Sequence, residues 1–197
     1  MAVTVPPRSP RRTRPGAIGL SLIVLAAVTV PVALLLLRST VHTGELPGAG
    51  HATVVRVVDG DTVVVALGDA EEPVRLIGID TPESVARDRP NECYGAEASH
   101  RLGELLPPGT AVDLTRDVEP RDVYDRLLAY VQRSADGLFV NMAQVTDGFA
   151  IARDFPPNTT HRDAFERAER AARAASLGLW SACGGADVPL AGPPNER

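Results

Sequence analysis

Between Ala52 and Ile79 the sequence sets out three short runs rich in Val and Ile: ATVVRVV at 52–58, TVVVAL at 62–67 and PVRLIGI at 73–79. DGD separates the first pair and GDAEEP the second. β-Branched residues suit a pleated, half-buried surface, and turn residues between such runs make a three-stranded meander the natural arrangement. Tyr94–Leu106 then carries Ala98, Leu102, Leu105 and Leu106 at helical spacing and stops at Pro107-Pro108-Gly109. Thr110–Arg116 and Leu127–Gln132 read as two further strands, with a turn at Asp136-Gly137. Val140–Thr146 reads as a short helix ended by Gly148. Thr160–Ser176 reads as an Ala-rich helix with Phe165, Ala168, Ala172 and Ala175 on one face, ended at Gly178. The order βββ-α-ββ-α-α predicts a β-barrel with helices, an α+β fold built on a five-stranded OB-type Greek-key barrel plus three helices.

Ahead of this domain, Ile18–Leu37 is a run of twenty uncharged residues, which as a helix spans about 30 Å, the thickness of a bilayer's hydrocarbon core. Arg8, Arg11, Arg12 and Arg14 precede it and Arg38 follows, so the positive-inside rule keeps the N-terminus cytoplasmic and exports the rest. The run is longer than the apolar region of a signal peptide, and no A-x-A pattern follows it. It reads as an uncleaved single-pass membrane anchor, the alternative being a cleaved signal and a secreted protein. The expected organisation is a basic N-terminus at 1–17, the transmembrane segment at 18–37 and a flexible stalk at 38–50. A folded domain at 51–183 and a disordered tail at 184–197 complete it.

From Ser39 on, the chain holds fifteen of the twenty Arg and all 25 acids, a formal charge of −10. That balance argues against a polyanion binder working through a broad basic face, so phosphate chemistry here would need a few placed cations and a metal. Cys93 and Cys183 are the only cysteines. In an exported domain such a pair is expected to form a disulfide, and two thiols alone make a poor zinc site.

Three groups have the chemistry for a site. A hairpin of the second and third strands would bring Asp80 back beside Asp61. Two carboxylates with a main-chain carbonyl make a hard oxygen site suited to calcium or magnesium, although most D-G-D triplets are ordinary turns. Arg75, inside the third strand, is either an outward residue of a barrel wall or a guanidinium fork for phosphate. Arg126, after Tyr124, carries the same two readings. Glu83 is either a base for a water beside the metal or a solvated loop acid.

VVDGDTVVV, VRLIGIDTPES, CYGAEAS, YDRLLAYV, VN-x₆-GFA, PPNTTH and GLWS occur in that order between Ala52 and Ser181. The set resembles the staphylococcal (thermo)nuclease family. The resemblance implies a Ca2+-dependent nuclease acting on DNA and RNA with little base specificity, favouring single-stranded or unpaired regions and leaving 3′-phosphate ends. It places the calcium ligands at Asp61, Asp80 and the main-chain carbonyl of Thr81, with Asp59 behind them. Glu83 would stand beside the attacking water, Arg75 and Arg126 on the scissile phosphate, and Tyr124 beside the nucleotide's terminal phosphate. Trp180 would pack the last helix.

Arg153 and Phe155 stand where the best-known member has tyrosines lining the nucleotide site, so Arg153 is a candidate substrate contact. Pro156-Pro157 falls where that family has a cis peptide. Asp125 replaces the usual glycine of Y-G-R and would either weaken phosphate binding or engage Arg126 in an ion pair. Two alternatives remain open: a tethered, non-catalytic binding module, or a hydrolase for another phosphodiester. The protein is expected to be monomeric.

Overall fold

The computed structural model describes residues 50–84 and 91–190, so the expected anchor and all of the stalk but Gly50 lie outside the described residues. No helix among the described residues is long and apolar enough to cross a membrane. Three strands open the domain: β1 (His51–Asp59), β2 (Thr62–Leu67) and β3 (Ala70–Leu76). A two-residue strand, β4 (Ile79–Asp80), follows. Helix α1 (Gly95–Leu105) leads into β5 (Ala111–Thr115) and β6 (Leu127–Arg133). The chain continues through α2 (Val140–Thr146), β7 (Ile151–Ala152), α3 (Arg162–Ala174) and the short α4 (Leu179–Ala182).

The barrel closes in the order β1-β2-β3-β6-β5, with β5 returning to β1. All its pairings are antiparallel except β3 with β6, where Val74, Arg75 and Leu76 face Leu127, Leu128 and Ala129. This is the five-stranded barrel with helices that the sequence predicts. β1 alternates exposed and buried residues along its first half, the period-2 signature of a barrel wall. Val54, Val63, Val65, Val74, Leu76, Leu114 and Val131 fill the interior, and Leu102 and Leu106 of the α1 region cap it.

Two strand expectations shift. GDAEEP is not a loop: Gly68-Asp69 alone makes the turn, and Ala70, Glu71 and Glu72 continue the ladder opposite Leu67, Ala66 and Val65. Acidic residues suit this stretch because the start of β3 is solvent-facing, and both Glu72 oxygens accept from Arg121, at 3.1 and 3.2 Å. The third strand also ends earlier than PVRLIGI suggests. Gly78 has φ +81°, and a Cβ there would lie 2.4 Å from the Phe165 ring, so the chain turns between β3 and β4 where only glycine fits.

On the α3 face, Phe165 and Ala172 are buried and Ala168 packs against the core, but Ala175 is the exposed C-cap. Beyond the three expected helices, GLWS forms the short α4. Its Trp180 ring lies under the Arg173 guanidinium at 5.3 Å, as expected of a packing residue of the last helix. The Pro156-Pro157 peptide is cis.

The side chain of Asn141 in α2 explains the VN motif. Its Nδ2 donates to Ile77 O at 2.9 Å and its Oδ1 accepts from Val131 N at 2.9 Å, latching the helix to the break after β3 and to β6. Asn158 does the same for PPNTTH, exchanging two hydrogen bonds with the Glu119 backbone. Cys93 and Cys183 are disulfide-bonded, joining the start of α1 to the end of α4. Beyond Cys183 the expected tail is laid against the domain as far as Leu190. Cys93 N donates to Val188 O at 2.7 Å, and Leu190 N donates to Asn91 O at 2.8 Å.

Candidate active site

The β1–β2 turn, the β3–β4 segment and the chain after β4 converge because β2 and β3 form a hairpin in which Thr62 faces Arg75. Gly60 is what allows the approach. A Cβ at that position would lie 2.7 Å from Thr81 Oγ1 and 2.8 Å from Ala98 Cβ, inside any normal contact. With glycine there, Thr81 comes close enough to donate to Asp61 Oδ2 from both its amide (3.2 Å) and its hydroxyl (3.1 Å). Asp61 Oδ1 accepts from Thr62 Oγ1 at 3.0 Å.

Arg75 lies between the two carboxylates. Its Nη2 is 2.9 Å from Asp61 Oδ2 and 2.7 Å from Asp80 Oδ1, while Nη1 donates to the carbonyls of Leu76 and Ile79. Phe155 covers the guanidinium at 5.1 Å. Arg75 is only 6% exposed, which excludes the outward barrel-wall reading. A charge so buried is tolerable only because carboxylates and carbonyls meet its N–H groups. Asp80 Oδ2 also accepts from Arg153 Nη1 at 3.2 Å. Burial raises the Asp80 carboxyl above its ordinary range, Arg75 and Arg153 oppose that, and Asp61 and Asp187 add to it by like-charge repulsion.

These groups wall a polar cavity of ≈ 210 Å³. Asp61, Arg75, Asp80, Thr81, Glu83 and Arg126 all line it, so the structure brings together the metal-ligand and catalytic candidates from four separate stretches of sequence. Asp59 stands at its edge. Its Oδ1 accepts from Gly60 N, Ser84 Oγ and Ser99 Oγ at 2.7–3.0 Å, tying the turn to the Glu83 loop and to α1. Arg153 borders the site through Asp80. Tyr124 is the outlier: it is 78% exposed, and its ring stands against the Arg126 guanidinium at 5.5 Å rather than in the cavity wall.

Three contributors were not singled out from sequence. Glu92, 6% exposed, accepts the Glu83 amide at 2.9 Å and so fixes that loop. Its position just before CYGAEAS was the available signal. Asp122 holds Arg126: Nε donates to Oδ2 at 2.7 Å, and the Arg126 amide donates to Oδ1 at 3.0 Å. Burial opposes the charge on Asp122, but the bonds from Arg126 and Tyr124 outweigh it and keep the carboxyl below its usual range. The four-residue spacing of Asp122 and Arg126 was legible. Asp187, from the segment after the disulfide, also lines the cavity, and no local pattern marks it.

The donor set fits a hard divalent cation. Asp61 and Asp80 share the Arg75 guanidinium, Asp80 also meets the more exposed Arg153, and Glu83, Glu92 and Asp187 bring further carboxylates to the same small cavity. Oxygen donors without thiol or imidazole suit calcium or magnesium and not a soft metal.

The model of the family described as staphylococcal nuclease homologue matches residues 73–182. A Thermonuclease of Staphylococcus intermedius is 39% identical over 127 residues, 64% of this chain and 74% of its own length. A second Thermonuclease, of Staphylococcus hyicus, is 31% identical across 83% of this chain and 96% of its own length. An endonuclease of Bacillus subtilis (strain 168) is 35% identical across 74% and 68%. With its barrel, its Asp-Gly-Asp turn and its buried arginine in place, the chain belongs to the family of staphylococcal nuclease homologues.

Proposed function

We propose that this family member is a calcium-dependent nuclease that hydrolyses phosphodiester bonds of DNA and RNA. The observation that carries the proposal is the convergence of Asp61, Arg75, Asp80, Glu83 and Arg126 on one polar cavity. A binding module has no need of an acid, two guanidiniums and a carboxylate pair in the same wall.

Asp61, Asp80 and the Thr81 carbonyl would hold the ion. When bound, it supplies Lewis-acid neutralisation of charge gathering on the phosphate. Arg75 and Arg126 offer charged N–H donors to the phosphate oxygens, and the benefit grows as a fifth oxygen adds charge in the transition state. Arg75 is pre-positioned by four hydrogen-bond acceptors and Arg126 by Asp122, so little ordering is left to do on binding. Glu83, its amide held by Glu92, would take a proton from water as the water oxygen bonds to phosphorus. The bond to the 5′ oxygen then breaks, that oxygen is protonated, and a 3′-phosphate end remains. Tyr124, exposed beside Arg126, and Arg153, beside Asp80, would meet the flanking nucleotide.

An extended, unpaired strand fits an open cavity rimmed by an exposed tyrosine better than a duplex does. The uncharged run Ile18–Leu37 behind four arginines supports export with the domain tethered outside the membrane. The deciding experiment incubates the purified full-length chain with single-stranded DNA and RNA, in calcium and in chelator. Cleavage is expected in calcium only, with 3′-phosphate ends; equal cleavage in excess chelator rejects the calcium mechanism.

A further inference from the structure

The cavity wall extends past both ends of the family match, which covers residues 73–182: Asp59, Asp61 and Thr62 precede it and Asp187 follows it. The segment carrying Asp187 is fastened at both ends. On one side is the Cys93–Cys183 disulfide. On the other, Val188 O accepts from Cys93 N, Pro189 bridges Glu92, and Leu190 N donates to Asn91 O. The partners are Asn91, Glu92 and Cys93, and Glu92 also supports the Glu83 amide. The strap is therefore attached to the segment that fixes the loop of the general-base candidate. Among the described residues, no hydrogen bond or ion pair reaches the Asp187 carboxylate, which lines the same cavity as Asp61 and Asp80.

Like-charge repulsion between Asp187 and Asp80 disfavours the cation-free site and favours the loaded one. We propose that this disulfide-fastened strap is part of the cation site, and that Asp187 contributes a carboxylate at its mouth that strengthens calcium binding. The inference rests on the calcium reading of the cavity. The strap also explains how the domain can afford a disulfide far from its barrel core: the bond holds the strap against the segment after β4. A carboxylate several ångströms from a divalent ion in a water-exposed mouth changes affinity by roughly 3- to 10-fold, reduced by salt.

The test is calcium titration by calorimetry on the full-length chain in detergent, with calcium chloride as the only ligand. Asp187→Asn is expected to weaken binding by roughly 3- to 10-fold while leaving the protein in chelator no less stable than the wild type. Asp69→Asn, at the tip of the β2–β3 hairpin, removes the same charge at a distance and is expected to leave affinity within about 1.5-fold. Asp80→Asn is expected to abolish binding. Reducing the disulfide is expected to lower wild-type affinity to the level of Asp187→Asn and to add nothing to that variant. Equal affinities for Asp187→Asn and Asp69→Asn, with Asp80→Asn silent, overturn the role of the strap and leave the calcium site standing. Absence of binding by the wild-type chain, or undiminished binding by Asp80→Asn, overturns the calcium reading itself and this inference with it.

Discussion

Arg126 Nε donates to Asp122 Oδ2 over 2.7 Å, and the pair shares a second bond from the Arg126 amide to Asp122 Oδ1. The glycine replacement at Asp125 had suggested Asp125 as the partner competing for Arg126. Instead Asp125 occupies the left-handed region, at φ +64°, with its side chain 88% exposed. Its nearest cation is Arg121 at 3.6 Å. Asp125 serves the turn, and Asp122 positions the arginine.

Asp122→Ala should therefore lower turnover by about 10-fold or more, because Arg126 loses its anchor and the turn loses two backbone hydrogen bonds. Asp125→Gly should shift KM by less than about twofold at any salt concentration, since an exposed charge is screened within roughly 10 Å. Steady-state kinetics on a short single-stranded oligonucleotide separate the two. A larger loss at Asp125 than at Asp122 would reverse the assignment.

Arg75→Ala should lower the rate by about 10²–10³. It should also destabilise the calcium-free protein, by about 3–5 kcal/mol, because Asp61 and Asp80 are left as neighbouring carboxylates without their shared cation. The same loss makes calcium binding worth more to the fold. The rise in melting temperature from chelator to calcium should then be larger in the variant than in the wild type. Thermal unfolding in both conditions checks this, and an equal rise in the two proteins would mean that Arg75 does not compensate the carboxylates.

The barrel was legible because Val-rich runs and turn residues alternate at short range, and the residues that line the cavity because their motifs keep their order and spacing. What escaped was of two kinds. The Ala70–Glu72 stretch looked like a loop because acids are rare in strands, yet an outward barrel wall with Arg121 opposite accepts them. Glu92, Asp122 and Asp187 act through the residues beside them in space, and a single sequence carries no record of those contacts. Cys93 and Cys183 could be paired by elimination, but that the bond would pin a strap against the site depends on backbone pairing across 90 residues.

Asp117 contributes to the pH dependence of the fold. Burial works against its charge, but Thr160 donates from both its amide and its hydroxyl at 3.0 Å and Tyr130 from its phenol at 2.8 Å. Together they hold its carboxyl below the ordinary value. Burial and Asp117 correspondingly push the Tyr130 phenol upward. A carboxyl whose folded pKa is depressed stabilises the fold above its unfolded value, about 3.9, and loses that contribution as pH falls through the folded one. The wild-type melting temperature should thus drop on acidification below about pH 4. Asp117→Asn should melt lower at neutral pH, by roughly 2–8 °C, and show a shallower drop. Parallel melting curves of the two proteins from pH 6 to pH 2 would remove Asp117 from the account.

Gln144 is fully buried in α2, and its Nε2 donates to Gly60 O at 2.7 Å and to Ala98 O at 3.2 Å. One amide group thus holds the carbonyl of the Asp59-Gly60-Asp61 turn against α1, while its own Oε1 is buried without a partner. Gln144→Leu removes both bonds but also removes the unsatisfied oxygen, so two opposing terms of about 1–3 kcal/mol largely offset each other, and the loss of stability should be small. Gln144→Glu keeps the shape but turns the donor into an acceptor facing two carbonyls in a dry interior. The group must then either carry a buried charge or be neutralised by an upward shift of its pKa. It should destabilise the protein more than leucine does, with the gap narrowing as pH falls and the acid becomes a donor. The turn also carries Asp61, so calcium affinity should weaken in the same order. Melting curves and calcium titrations at pH 5 and pH 8 test both orders, and a glutamate variant as stable as the leucine one at pH 8 would show that the Gln144–Gly60 bond does not hold the turn.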